Sequence, residues 1–500
     1  MNFNPNDLAG VLPAIILTLG GCALMTTEVF LRKEGADRRY QPFLAAVFGL
    51  IGLYVALNSL GDPTESIFAG AAVADGIGRS VSAIVCATLV LSALLSFGYL
   101  ETLNASRGEF YALALLSAAG MCILAQATDL LVMFIALEVM SLAVYCLTAW
   151  LRRGKKPAEA AFKYFVLGSF ASAIFLYGAA LAYGAVGSTR IADLAMAVRN
   201  PHALAPTLTY AAGALLLAGF AFKVAAVPFH MWVADVYDGA PAPVTGFMAA
   251  GVKAAGFVAL ARVLVSGYGD QSAALGAHGW QTVIAVLASA TMLVGNVLAV
   301  PQRSVKRMLA YSSIAHAGYL LVAIAAMAGQ EPRPDAAFGL VFYLGSYAAT
   351  VVGAFGIVAL IERKLAATDA SDDLSSWAGL SQKHPALAAA MSLFMFSLAG
   401  VPPTAGFMAK LSIFRSAIEA GLYPLAIFGV LTSAAGLYYY LRVIVYVYMV
   451  PSSKPEPIVG GRMITAGIAL ATCAALVIWM GVQPGAFASM AQQSLASFGK

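Results

Sequence analysis

Five hundred residues, 61% hydrophobic and only 11% charged, carry more apolar side chains than a water-facing surface can hide, which excludes an ordinary soluble globular protein. The net charge of +5 does not mark a nucleic-acid binder, because the cations gather in a few loops. No hydrophilic stretch is long enough for a soluble domain, and no strand and glycine-rich turn opens a helix, so a nucleotide fold has nowhere to sit.

A helix needs roughly 20 mostly apolar residues to cross a bilayer, and about fourteen such runs follow one another almost end to end. In chain order they fall at 8–31, 42–60, 79–100, 109–127, 128–150, 162–184 and 207–228, then at 243–265, 280–300, 305–328, 338–361, 386–414, 424–450 and 462–481. The first is not read as a removable signal peptide: no basic region precedes it, and it leads directly into Arg32 and Lys33. The longest loops, 61–78, 185–206 and 365–385, are expected to be surface connections. Cys22, Cys86, Cys122, Cys146 and Cys473 each stand alone in an apolar run, without metal-ligand spacing, and read as core packers.

Lysine and arginine concentrate in odd-numbered loops: Arg32, Lys33, Arg38 and Arg39; Arg152, Arg153, Lys155 and Lys156; Arg303, Lys306 and Arg307; Arg363, Lys364 and Lys383. The even-numbered loops are poorer, with Arg190, Arg199 and Arg333 as examples. The positive-inside rule then puts both termini on the non-cytoplasmic side of a multi-pass protein.

Two runs are interrupted by proline, at Pro228 in the seventh and at Pro402-Pro403 in the twelfth. Proline at that depth breaks the helix, which hydrocarbon punishes unless the gap faces protein or water. Broken helices in corresponding halves point to an inverted-repeat transporter. The expectation is an all-α polytopic membrane protein of about fourteen transmembrane helices with two inverted five-helix repeats, each containing a broken helix. Residues 1–108 would hold three N-terminal helices, 109–265 the first repeat, 280–450 the second and 451–500 a C-terminal helix.

Glu138 lies near the middle of the fifth run, Lys223 deep in the seventh, Lys253 near the middle of the eighth and Lys410 just beyond the break of the twelfth. Each is expected to lie too deep for a snorkelling side chain to reach the interface, so these four are the candidate proton-transfer residues. His230 follows Lys223 by seven residues, close to two helical turns. His316 is central in the tenth run among hydroxyls; it is either a satisfied structural residue or a proton carrier. Lys163, Lys306, Arg307 and Arg442 are expected to snorkel, although Lys163 could modulate Glu138 if runs five and six are neighbours; Glu28 and Asp129 lie near run ends.

Burial lowers a lysine's affinity for its proton, and two charges about 8 Å apart at an effective dielectric of 20 interact by roughly 2 kcal/mol, enough to switch a poised group. Moving a charge against 100 mV takes about 2.3 kcal/mol, which a partner reaction must supply.

These residues occur in segments that resemble the antiporter-like subunits of respiratory complex I, a group shared with multisubunit sodium/proton antiporters and membrane-bound hydrogenases. The segments are Glu138 in run five, FKVAAVPFHMW at 222–232, YDGAPAPVT at 237–245, and KRMLAYSSI at 306–314 leading to His316, and the likeness spans nearly the whole chain. Lysine at 410 differs from subunit M, which carries glutamate there, and the chain ends without the long amphipathic helix of subunit L. The resemblance implies a proton-translocating membrane subunit of a bacterial NADH-quinone oxidoreductase in the cell inner membrane. It implies Glu138 and Lys223 as an input pair, Lys253 with His230 or His316 as the central connection, and Lys410 as the exit site. No cofactor is expected in this chain; FMN, iron-sulfur clusters and quinone would belong to partner subunits of the membrane and peripheral arms. The alternative is a subunit of a sodium/proton antiporter or membrane-bound hydrogenase.

Overall fold

A computed structural model describes residues 5–30, 40–151, 155–199, 206–269, 279–328, 334–368, 373–451, 464–485 and 487. The loop cations Arg32, Lys33, Arg38, Arg39, Arg152, Arg153 and Arg333 lie outside the described residues, as do the side chains of Lys155, Arg199, Arg363 and Lys364.

Each expected run has a helical counterpart. They are α1 (Leu12–Phe30), α2 (Tyr40–Asn58), α3 (Gly76–Thr102), α4 (Gly108–Gln126), α5 (Leu130–Thr148) and α6 (Lys155–Val186). A short α7 (Ile191–Arg199) lies within the expected 185–206 loop. Then come α8 (Pro206–Lys223), α9 (Trp232–Gly239), α10 (Ala242–Gly267), α11 (Gly279–Ala299) and α12 (Val305–Ala326). The remainder are α13 (Pro334–Thr368), α14 (Pro385–Ala399), α15 (Ala405–Glu419), α16 (Tyr423–Tyr448) and α17 (Ile464–Val482). Twelve helices among the described residues are long and apolar enough to cross a membrane; α8 and α14 are shorter apolar helices ending at the two breaks.

Both breaks have the same backbone solution. At the end of α8, Ala225 N–H bonds Phe222 O (3.1 Å) and Ala226 N–H bonds Ala221 O (2.8 Å), with Ala225 in the left-handed region at φ 63°. At the end of α14, Gly400 N–H bonds Ser397 O (3.0 Å) and Val401 N–H bonds Phe396 O (3.0 Å), with Gly400 at φ 85°. This paired-bond turn closes the last carbonyls of a helix. Side chains add to it at the first break: Trp232 Nε1 also donates to Phe222 O (3.2 Å), and Val227 N–H donates to Thr291 Oγ1 (3.0 Å). Apolar surroundings thus tolerate the interruptions because their polar groups are paired.

Helices α3, α10, α12 and α13 are buried nearly all round and form the interior, whereas α1, α2, α6, α11, α16 and α17 turn Leu, Val, Ile and Phe outward, as in Phe162, Val286, Leu431 and Ile464. Such apolar exteriors belong to a lipid or subunit interface. Close approach of α11 and α12 depends on Gly295, where a Cβ would lie 2.4 Å from Ala315 N. In α10 the helix widens to a π turn over Met248–Val252, immediately before Lys253, and again over Arg262–Gly267.

The 61–78 loop is more ordered than a plain connection. It forms a two-stranded antiparallel ribbon, β1 (Glu65–Ile67) and β2 (Ala72–Ala74), with Glu65 opposite Ala74. Main-chain bonds continue from it: Thr128 N–H to Ala71 O (3.0 Å), Leu130 N–H to Thr189 O (2.8 Å) and Ile191 N–H to Thr128 O (2.9 Å). Beside them Arg262 reaches from α10 to Asp75 Oδ1 (2.6 Å) and Ala125 O (2.8 Å), a sealed ion pair joining α3, α4 and α10.

Candidate functional site

Lys223, Lys253 and Lys410 are all buried, at 4%, 3% and 7% exposure. An ammonium in hydrocarbon needs acceptors or water, and here each one finds neutral oxygens. Lys223 Nζ, on the last turn of α8, donates to Ser141 Oγ (2.7 Å) and Tyr145 OH (3.2 Å) of α5. Lys253 Nζ donates to Ser313 O (2.5 Å) and Ser313 Oγ (2.6 Å) of α12. Lys410 Nζ donates to Leu398 O (2.8 Å) and Ala399 O (2.9 Å) at the end of α14 and to Ser433 Oγ (2.8 Å) of α16. Two of these cations therefore sit at helix C-termini, Lys223 on its own helix and Lys410 across the break, where the backbone dipole favours positive charge.

Glu138 stands one and two turns before Ser141 and Tyr145 on α5, so all three share a face. Its half-buried carboxylate accepts from Ser172 Oγ of α6 (2.5 Å). Glu138 and Lys223 approach the same patch of α5 without a direct bond among the described contacts; the hydroxyls of Ser141 and Tyr145 stand at the lysine end.

Tyrosines fill the space between Lys253 and Lys410. Lys253 Nζ lies 5.2 Å from the centre of the Tyr347 ring, which is 5.0 Å from the His316 ring. His316 is hydrogen-bonded on both nitrogens, to Tyr343 OH (2.6 Å) and Tyr440 OH (3.1 Å), and Tyr440 OH meets Ser312 Oγ (2.5 Å). The Tyr319 ring stands edge-on to His316 at 5.7 Å and 5.2 Å below the Lys410 ammonium. His316 thus lies between the two lysines. His230 does not: it is half-buried beside exposed Pro228 and Met231, and it has no described side-chain bond to Lys223, Lys253 or His316. One helix ends at Lys223 and the next begins at Trp232, so the two-turn spacing of an unbroken helix does not hold between Lys223 and His230.

The cations expected to snorkel are engaged instead. Lys306 is 2% exposed, and its Nζ donates to Glu362 Oε1 (2.8 Å) and Ala240 O (2.7 Å). The run-end argument fails for it because α9, α10 and α13 close over the start of α12. Lys163 bonds Asp235 Oδ2 (2.8 Å) and Glu159 Oε1 (2.6 Å), not Glu138. Arg307 takes the other oxygen of Asp235 (2.9 Å), and Arg442 caps Val300 O (2.8 Å) and Gln302 O (2.5 Å). Asp129 caps α5 through Leu131 N (2.8 Å), and buried Glu28 accepts from Gln41 Nε2 and Gly108 N (3.3 Å). Glu362 and the tyrosines 343, 347 and 440 were not singled out by sequence; the signal for Glu362 is a lone carboxylate at the end of run eleven, the same end as Lys306.

Among the described residues no cluster of His, Cys, Asp or Glu could hold a metal ion. Buried lysines strung between two broken helices define a membrane-embedded, antiporter-like ion-translocation subunit. The chain belongs to the family described as NADH:quinone oxidoreductase/Mrp antiporter transmembrane proteins, whose model matches residues 127–436. It is 44% identical to NADH-quinone oxidoreductase subunit N of Myxococcus xanthus, covering 100% of this chain and 99% of that protein. Among solved structures it resembles a chain of respiratory complex I from Thermus thermophilus with bound aureothin, with a TM-score of 0.78 and 34% identity over 95% of this chain and 97% of that one. It shares its fold with a chain of the Mrp complex from Dietzia sp., with a TM-score of 0.80 at 22% identity over 97% of each. The chain is a multi-pass membrane protein.

Proposed function

We propose that this chain is a proton-translocating membrane subunit of an NADH-quinone oxidoreductase, and that Glu138, Lys223, Lys253, His316 and Lys410 carry the protons. One observation supports this above the others. Lys223, Lys253 and Lys410 are held by hydroxyls and carbonyls alone among their described bonds, whereas Lys306, Lys163 and Arg262 are paired with carboxylates. A paired cation that loses its proton strands a buried anion. A lysine held by neutral oxygens strands nothing, so it can pass its proton on.

The reading extends to the whole chain. The α8–α9 and α14–α15 pairs each complete one crossing, giving fourteen, with repeats over 109–265 and 280–450, three helices before and one after. Both termini face the non-cytoplasmic side of a bacterial inner membrane. Glu138 and Lys223 load the row, Lys253 and His316 connect it, Lys410 is the exit, and Lys163 acts on it only through Asp235. His230 contributes no proton step. Electron transfer from NADH, with FMN, iron-sulfur clusters and quinone, takes place in partner subunits, making the assembly a translocase. The test is NADH-driven proton uptake in inverted vesicles carrying Lys223→Ala in the assembled complex. A several-fold loss supports the reading; normal uptake per NADH refutes it.

A further inference from the structure

Asn296 is a buried amide in the largely apolar α11, where a polar group left unpaired is costly. It is used fully. Its Nδ2 donates to Met292 O (2.8 Å) and to Tyr319 OH (3.1 Å), and its Oδ1 accepts from Tyr439 OH (3.0 Å). Helix α16 makes room for it at Gly436, where a Cβ would come within 2.7 Å of Oδ1. A mere helix staple needs one such bond; this amide fixes two phenols, one beside Lys410 and His316 and the other beside Tyr440.

The first phenol is Tyr319, whose ring lies below Lys410 and edge-on to His316. Because its oxygen receives the Asn296 N–H, its own hydrogen must point elsewhere. The Lys410 ammonium above that ring donates to Ser433 Oγ of α16, so the tyrosine and the serine hold it from two sides. The second is Tyr439, whose ring is 4.3 Å from that of Tyr440, the tyrosine on His316 Nε2. The amide nitrogen is not a base and relays no proton itself; it sets where its neighbours point.

We propose that Asn296 is a positioning residue for Lys410, acting through the hydroxyl of Tyr319. This rests on Lys410 being a proton carrier. The titratable groups packed around this pair are Lys253, His316, Tyr343, Tyr347, Tyr439 and Tyr440, from α10, α12, α13 and α16.

The experiment compares Lys410→Ala, Asn296→Ala, Tyr319→Phe and the double Asn296→Ala/Tyr319→Phe in the assembled complex, reading NADH-driven proton uptake in vesicles across pH. Asn296→Ala and Tyr319→Phe each lower uptake several-fold and displace its pH profile, and the double variant is no worse than the worse single one, as for residues acting in series. Losses that multiply in the double variant, or an Asn296→Ala profile that matches the parent while Lys410→Ala is impaired, overturn the proposal. An unimpaired Lys410→Ala overturns the reading beneath it. Should Asn296→Ala fail to assemble, Gly436→Ala keeps the amide but crowds its oxygen; a displaced profile supports the proposal and an unchanged one overturns it.

Discussion

Lys306 and Glu362 form an ion pair of 2.8 Å in which the lysine is almost wholly enclosed while the carboxylate keeps a quarter of its side chain exposed. The same carboxylate receives Tyr99 OH (3.0 Å) and Ala242 N–H (3.2 Å) on its other oxygen, so one glutamate ties α3, α10, α12 and α13. Such a pair is a fixed charge, and it differs in kind from the three lysines held by neutral oxygens.

Glu362→Gln keeps acceptors for Tyr99 and Ala242 but leaves Lys306 unpaired. We expect a loss of about 2 kcal/mol, below the roughly 3–5 typical of a fully buried pair because water reaches the carboxylate. Glu362→Gln/Lys306→Met should recover part of it. Half-lives of the purified complex at a fixed raised temperature check the order; a double variant weaker than the single one would contradict the pairing.

Arginine keeps its charge at any pH a membrane survives, so it can neutralise a site but not cycle it. Lys223→Arg and Lys253→Arg are therefore expected to lose proton uptake as fully as the alanine variants, several-fold, because the charge stays but the proton cannot leave. Uptake in inverted vesicles decides, with retention by arginine showing that charge alone suffices.

The two histidines should separate cleanly. His316→Ala removes a ring bonded to Tyr343 and Tyr440 and should cut uptake severely. His230→Ala, at the half-exposed break, should stay within about twofold of the parent, the effect of a residue outside the transfer path. Parallel vesicle assays of the two variants at equal assembly level give the answer.

Gly400→Ala places a methyl group where φ is 85° and only 2.9 Å from Lys410 Cδ. The left-handed backbone alone costs an alanine roughly 1–2 kcal/mol, and displacing the lysine from Leu398 O and Ala399 O adds a loss of uptake. Ala225→Gly at the matching turn relieves the same strain while freeing the unfolded chain, so it should change stability by no more than about 0.5–1 kcal/mol. Thermal inactivation of both variants, with uptake measured on each, tests the equivalence of the turns.

Much of the fold was legible because hydrocarbon permits few solutions. Pro228 and Pro402-Pro403 inside apolar runs required breaks, and Lys223, Lys253 and Lys410, too deep to snorkel, required an interior. What escaped was lateral. Distance from a run end predicted a wet Lys306, but neighbouring helices cover that end. Tyr438, Tyr439 and Tyr440 look alike in sequence, yet the first is 60% exposed while the other two are buried at the row. A helix's rotation about its axis selects among them, and that rotation is set by packing partners that no single run contains. His230 was placed by extrapolating a helix through a turn that ends it.

The two ends of the bundle are fastened by different means. At the end carrying Lys306, half-exposed charges do the joining, with Asp235 divided between Lys163 and Arg307. At the other, the chain is laced by amide bonds among Ala71, Thr128, Thr189 and Ile191, beside the sealed Arg262–Asp75 contact. Surface ion pairs weaken as salt rises, whereas peptide hydrogen bonds do not. In the orientation proposed above, the charge-fastened end meets the regulated cytosol and the amide-laced end meets the outside. Raised salt is expected to loosen the charge-fastened end before the amide-laced one.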